Sequence, residues 1–269
     1  MSGYLPDFIQ RHYILRNTER YWTNICIVAR LNRSVSKQEL SLALRNLILE
    51  DGWITQNFFR TQGTKSDDRD FNGKNFVVRP VEEIRFLQVV EYSKGRVDDI
   101  ENGKLNEVTM PMNSETPLWK LVIYENVDTG SQEICGLFDH SIFDGLSSLH
   151  VIKRLHAHLN RIEPPKEVIE TLFSAKIDGS QISITPYNLD NLPLFSVSLW
   201  YRFQRLLWPY IDKIRSYFWP RNPVFATEPN SKRDLANVYR HIKIKQSSKL
   251  VQDCRRNGYT LTPFINAIG

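Results

Sequence analysis

Cysteine is scarce in this 269-residue chain: Cys26, Cys135 and Cys254 are the only three, and they stand far apart. That spacing argues against a disulfide framework and against a CxxC-type metal site, and it fits a reducing compartment. Long apolar runs are missing too. No charge-free stretch reaches about 18 residues, so no membrane-spanning helix is expected. The opening MSGYLPDFIQRHYILRNTERYW lacks the apolar centre of a secretory signal. No repeat with a period of about 20–50 residues is visible. With 41% apolar and 24% charged residues, the chain falls outside the disordered, collagen-like and low-complexity classes. Its length suits one large domain or two small ones, each able to bury a sizeable core.

The net charge is +5 and the isoelectric point about 9.0. Most of the excess is local. The segment Pro193–Arg221 carries Arg202, Arg205, Lys213, Arg215 and Arg221 against Asp212 alone. A nucleic-acid surface needs a broader basic stripe, so no nucleic-acid partner is expected.

Along the chain, Asn24–Ala29 reads as a buried strand. Ser36 and Glu39 form a capping box before an apolar helix over 36–50, which should end in a left-handed cap near Gly52. A polar loop is expected over 62–74. Strands come next at Phe76–Val78 and Phe86–Val90. PLWKLVIY (117–124) and EICGLF (133–138) should be neighbouring strands across a turn at 126–130. A loop over 139–145 leads into a helix from about 147 to 160, with Leu149, Ile152, Leu155 and Leu159 on its packed face. Beyond it lies a proline-rich stretch. Strand 238–244 comes next, then a helix capped by Ser247 or Ser248, and then the start of another with Thr262 as cap and Pro263 at its first position.

The sharpest chemical feature is His140-x-x-x-Asp144-Gly145, directly after a strand. A histidine that titrates near neutrality can take a proton from a hydroxyl or amine. A carboxylate four residues on can fix the loop, and Gly145 lets the backbone turn tightly. Taken alone the spacing is weak; a surface histidine and a helix-capping aspartate would give the same pattern. His150, His156 and His158 share one helix, but His156 and His158 point to different faces. A zinc site needs at least three converging ligands, and no metal is expected. Cys135, between apolar neighbours, reads as a small buried hydrophobe.

The order strand 117–124, turn, strand 133–140, then SIFDGLSS (141–148) and a helix, resembles the CoA-dependent acyltransferase superfamily with its HxxxDG signature. It is closest to the fungal alcohol acetyltransferase branch, which includes the yeast N-acetyltransferase that inactivates myriocin. YWTNI (21–25), the helix near 36–50 with WITQNFF (53–59), and YRHIKI…TLTPFINA (239–267) agree with it. The resemblance implies an α/β fold (an α+β sandwich): a chloramphenicol-acetyltransferase-like N-terminal domain facing a similar second domain across a solvent channel. It implies acetyl-CoA as co-substrate, entering from one face, and a small hydrophobic alcohol or amine as acceptor, entering from the other. His140 would be the general base in a direct attack on the thioester. Asp144 would be structural and paired with an arginine, and Gly145 would hold the loop tight. It assigns no CoA-binding residue. Asp139 stands where the family often has a second histidine. The family's Asp-Phe-Gly-Trp-Gly-type motif does not occur. The expected organisation is therefore an acyltransferase domain over 1–165, a crossover over 166–235 and the start of a truncated C-terminal domain over 236–269.

Nine aromatics crowd Pro193–Arg221. Leu199, Phe203, Leu206, Tyr210, Ile214 and Tyr217 recur at helical spacing, with Arg202 and Lys213 flanking them and Pro209 expected to kink the helix. Such a helix can lie in a membrane interface, with Trp200, Phe203, Trp208 and Trp219 as the contacting rings; the competing reading is a crossover packed on protein. The expected location is cytoplasmic, or peripheral on the endoplasmic reticulum or lipid droplets. Two rival functions stand beside the acetyltransferase: a catalytically dead remnant of the fold, and a membrane-surface binding module.

Overall fold

A computed structural model describes residues 3–18, 24–61, 75–95, 110–125, 131–161, 163, 165–184, 198–218 and 247–260. The loop expected over 62–74, the turn at 126–130, the strand over 238–244, the helix start at Thr262, and Trp219 lie outside the described residues. The elements are α1 (Phe8–Thr18), β1 (Asn24–Arg30), α2 (Lys37–Glu50), a 3-10 turn (Gly52–Thr55), β2 (Gln56–Arg60), β3 (Phe76–Pro80) and β4 (Glu83–Arg85). Then come α3 (Phe86–Val89), β5 (Val90–Lys94), β6 (Trp119–Glu125), β7 (Gln132–Asp139), α4 (Gly145–Leu159), β8 (Thr171–Ser174), α5 (Ala175–Asp178), α6 (Leu199–Phe218) and α7 (Ser247–Arg256).

A four-stranded sheet runs in the order β1-β7-β6-β5, with β7 antiparallel to both neighbours and β5 parallel to β6. Every residue of β7 is buried. Alternation along β6 and β7 sends side chains to two separate cores. Leu121, Ile123, Ile134 and Phe138 pack with Leu44, Leu47 and Ile48 of α2 and with Val151, Ile152 and Leu155 of α4. Val122, Tyr124, Cys135 and Leu137 pack on the other side with Phe58, Val78 and Ile14 of α1. A strand covered on both faces has no polar face to show, which is why its centre, Ile134–Phe138, reads as a continuous apolar run. Gly136 is required there: a Cβ on it would lie 2.6 Å from the Phe138 ring and 2.9 Å from Ile152 Cδ1.

The expected mixed α/β class is what the chain forms. The capping box of α2 is present, with Ser36 Oγ accepting from Glu39 N at 3.2 Å and Glu39 Oε2 accepting from Ser36 N at 2.8 Å. Several expectations are corrected. β1 is only half-buried: among the described residues it pairs with β7 alone, Ile25, Ile27 and Ala29 pack partly on one core, and Val28 is exposed. Gly52 adopts no left-handed cap: it opens the 3-10 turn, and glycine serves there because a Cβ would lie 2.7 Å from Ile182 Cβ. Phe86–Val89 is one helical turn, and the strand begins only at Val90. On α4, Leu149 is 37% exposed, and Ser148 and Val151 join Ile152, Leu155 and Leu159 on the packed face.

The stretch expected to open the crossover folds back onto the first unit. β8 pairs with β4, and Asp178 of α5 is buried against α2. There Arg45 Nη2 and Nη1 donate to the two Asp178 carboxylate oxygens at 2.8 and 3.3 Å, and Ser174 N donates to the same carboxylate at 2.9 Å. Removing one partner of a buried ion pair strands the other. Asp178→Ala is therefore expected to lower unfolding stability by about 3–5 kcal/mol, whereas a paired Arg45→Met/Asp178→Leu exchange should cost much less; urea titrations of both variants measure the difference.

Candidate active site

The C-terminal end of β7 delivers the HxxxDG loop. Asp139 is the last strand residue and is 4% exposed. Its carboxylate accepts from Ser141 N at 2.9 Å, from Ser141 Oγ at 2.5 Å and from Asn17 Nδ2 at 3.1 Å. Its carbonyl accepts from Phe143 N at 3.1 Å. Burial pushes the Asp139 carboxyl above its ordinary pKa, while these hydrogen bonds and the charge of His140 pull the other way. The departure from a second histidine thus puts a loop organiser beside His140.

His140 is half-buried, at the wall of a cavity of about 700 Å³. Tyr4, Asp7, Gln10 and Gln56 give that cavity a polar side; Ile9, Trp53, Ile142 and Phe143 give it an apolar one. Trp53 and Phe143 touch ring to ring at 5.1 Å, so the apolar wall is one packed surface. The 3-10 turn and β2 bring Trp53 and Gln56, while α1 and the residues before it bring the rest of the polar side. Tyr13 of α1 stacks on the His140 imidazole, with centroids 4.4 Å apart and planes 11° from parallel; its hydroxyl lies 3.4 Å from Nε2.

Asp144 also lines the cavity but serves as the N-cap of α4. Its Oδ1 accepts from Ser147 N and Ser147 Oγ, both at 2.7 Å, and Asp144 N donates to Ser147 Oγ at 2.7 Å. Among the described residues its carboxylate has no arginine partner. The first amides of a helix have no acceptors within it, and Asp144 supplies one. The hydrogen bond from the Ser147 backbone, the largest cause, holds its carboxyl below the ordinary pKa. Gly145 starts α4, and a Cβ there would meet nothing within 4 Å, so close packing does not dictate glycine at this position.

The remaining histidines have other tasks. His150 and His158, with Arg154 between them, line one face of α4 opposite the acidic end of α2. His158 Nε2 lies 2.9 Å from Glu50 Oε2, and Arg154 binds Glu50 and Asp51. Carboxylates at a helix C-terminus oppose its dipole, and Arg154 compensates them. Cys135 Sγ lies 3.4 Å from Cys26 Sγ across the β1–β7 pair. That neighbour and burial raise its pKa and disfavour a thiolate nucleophile. Sequence reasoning overlooked Tyr13 altogether and noted Asp139 only as a departure. Tyr13 and Asn17 are four residues apart on one helix, but nothing in that spacing says the helix crosses the end of β7.

The candidate interface helix α6 holds Trp200, Phe203 and Trp208, all at least 49% exposed. At about 100° per residue, Leu199, Trp200, Phe203, Leu206, Leu207, Tyr210, Ile211, Ile214 and Tyr217 share one uncharged arc. Trp208 falls on the opposite, polar side with Arg215 and Asp212, so it is no part of that face. No helix among the described residues is long and apolar enough to cross a membrane.

A family model described as alcohol acetyltransferase matches residues 7–269. The N-acetyltransferase SLI1 of Saccharomyces cerevisiae is 24% identical over 176 residues, covering 64% of this chain and 35% of the relative. Alcohol O-acetyltransferase 1 of the same yeast is 22% identical over 209 residues, covering 67% of this chain and 40% of the relative. The chain thus spans well under half the length of these two. Among solved structures, the first condensation domain of the calcium-dependent antibiotic synthetase, in complex with a substrate analogue, is 11% identical with a TM-score of 0.48. That match covers 80% of this chain and 48% of that one.

Asp139 and Asp144 should separate in stability tests. Asp144→Ala is expected to lose about 1 kcal/mol, and Asp144→Ser, which can still cap, much less. Asp139→Ala leaves the buried Ser141 amide unpaired and should cost about 1–3 kcal/mol. Because the Asp144 pKa is depressed in the fold, its contribution is full above the ordinary carboxyl pKa. It is lost as the pH falls through the folded value. Urea midpoints of wild type and Asp144→Ala should therefore converge in acid.

Proposed function

The chain belongs to the alcohol acetyltransferase family, and from that membership we propose that it transfers acetyl from acetyl-CoA to the hydroxyl or amine of a small hydrophobic acceptor. The observation that supports this most is the His140 imidazole, stacked on Tyr13 at the wall of a half-apolar cavity. An acceptor lying on Trp53 and Phe143 would bring its hydroxyl or amine to Nε2. His140 takes that proton as the acceptor oxygen or nitrogen attacks the thioester carbonyl carbon. The tetrahedral adduct collapses, the C–S bond breaks, and the proton passes from the imidazolium to the departing thiolate. The products are the acetyl ester or amide and free CoA. No acyl-enzyme is needed, in keeping with the protonated state favoured for Cys135. The Asp139–Ser141 hydrogen bonds fix the loop before substrate arrives, so orientation is settled in advance.

Peripheral attachment to an anionic bilayer is a second part of the proposal, resting on α6. This helix of 20 residues is about 30 Å long. Its apolar arc is exposed, and its other side carries Arg202, Arg205, Lys213 and Arg215 against Asp212. Rings and aliphatic side chains would enter the headgroup region, with the cations toward lipid phosphates. A cytoplasmic protein so held would meet hydrophobic acceptors where they dissolve.

Two assays test these readings. Transfer of labelled acetyl from acetyl-CoA to a panel of alcohols and amphiphilic amines should fall by about 10²–10⁴ in His140→Ala; a folded wild-type chain that transfers nothing would reject the enzymatic reading in favour of a binding role. Flotation should carry the chain with phosphatidylserine-containing vesicles, less so at high salt. A Trp200→Ser/Phe203→Ser/Ile214→Ser variant should stay behind; equal flotation of that variant would exclude α6 as the contact.

A further inference from the structure

Tyr13 lies in none of the motifs that point to acyl transfer, yet it makes the closest ring contact to His140. We propose that Tyr13 is a positioning residue whose ring clamps the imidazole plane. The inference rests on the acetyltransferase reading for its catalytic consequence, though the clamp itself does not.

Three observations converge. The two rings are almost parallel at 4.4 Å, a separation at which an offset aromatic pair attracts beyond simple burial. A parallel neighbour blocks rotation of the imidazole about its bond to Cβ. The phenol oxygen is 3.4 Å from Nε2, longer than a strong O–H···N bond. With the two planes nearly parallel, that oxygen lies over the face of the imidazole, so the contact belongs to the stack. Finally, Tyr13 is itself held. Ile14 is buried in the second core, and Asn17, one turn on, donates to Asp139. Before the helix, Tyr4 N and O exchange hydrogen bonds with Val78 at 3.0 and 2.8 Å. One helix face thus grips two successive loop residues, Asp139 through its carboxylate and His140 through its ring.

Ring and hydroxyl separate by substitution. Tyr13→Ala removes both and should lower kcat about 10-fold to 100-fold, as expected when a reacting group is misplaced by about 1 Å, with a smaller change in KM. Tyr13→Phe keeps the ring and should retain most of kcat. An activity-independent readout is the rate at which diethyl pyrocarbonate modifies His140 in the full chain, followed by peptide mass spectrometry with His140→Ala as blank. That rate should rise several-fold in Tyr13→Ala and stay near wild type in Tyr13→Phe. If Tyr13→Ala loses its cooperative thermal transition, Tyr13→Leu, which keeps apolar volume without an aromatic plane, takes its place with the same expectations. Unchanged modification of His140 in the ring-deleted variant overturns the clamp. Unchanged kcat in an active enzyme overturns its catalytic consequence. A wild-type chain without turnover but with the expected modification order would reject the acetyltransferase reading and leave the clamp standing.

Discussion

The burial of β7 on both faces is the constraint on which the described structure depends. The strand sits between β1 and β6, so its backbone is paired on both edges, and alternate side chains enter two different cores. One core holds α2 and α4; the other holds α1 and the β2–β3 pair. Gly136 is where the first of these comes closest, with Ile152 of α4 resting where a Cβ would be. Because both layers press on the same strand, its end is fixed in space. The loop from His140 to Asp144 therefore starts from a rigid base.

That loop is then held by hydrogen bonds together with the burial of Phe143 against Phe138 and Trp53. Asp139 ties Ser141 and the Phe143 amide to the strand end and reaches α1 through Asn17. Asp144 closes the loop by capping α4. The two aspartates thus bracket His140 with different physics. One is buried and held against its own desolvation; the other is open to water and stabilised by helix amides. Between them the imidazole projects to the cavity wall, where Tyr13 covers one of its faces.

The substrate side of the cavity divides into polar and apolar halves that come from different parts of the chain. The 3-10 turn after α2 places Trp53, β2 places Gln56, and the first ten residues place Tyr4, Asp7 and Gln10. Such a lining suits an amphiphilic acceptor, with its polar end toward α1. An interfacial α6 would draw acceptors of the same kind from a bilayer. In the proposed reading, the solubility of the acceptor would link membrane attachment to acyl transfer.

Much of this was legible in the residues themselves. The Ser36–Glu39 box, the apolar runs of β6 and β7, and the HxxxDG loop are local patterns, in which each residue's neighbours in sequence are also its partners in space. Their reading needed only periodicity, capping chemistry and the ordinary pKa of histidine. What sequence could not decide was which distant segments meet. Gly52 looked like a helix cap, yet its lack of a side chain serves Ile182, 130 positions away. Phe86–Val89 had strand composition, yet Phe86 N donates to Glu170 O beside the β4–β8 pair and a helical turn forms. Asp178 looked like part of a linker until Arg45 met it. Tyr13 and His140 are 127 residues apart, and only the packing of α1 across the end of β7 brings their rings together. Local chemistry therefore pointed to His140, and tertiary packing chose its surroundings, because side-chain contacts across a sheet are set by topology and not by spacing along the chain.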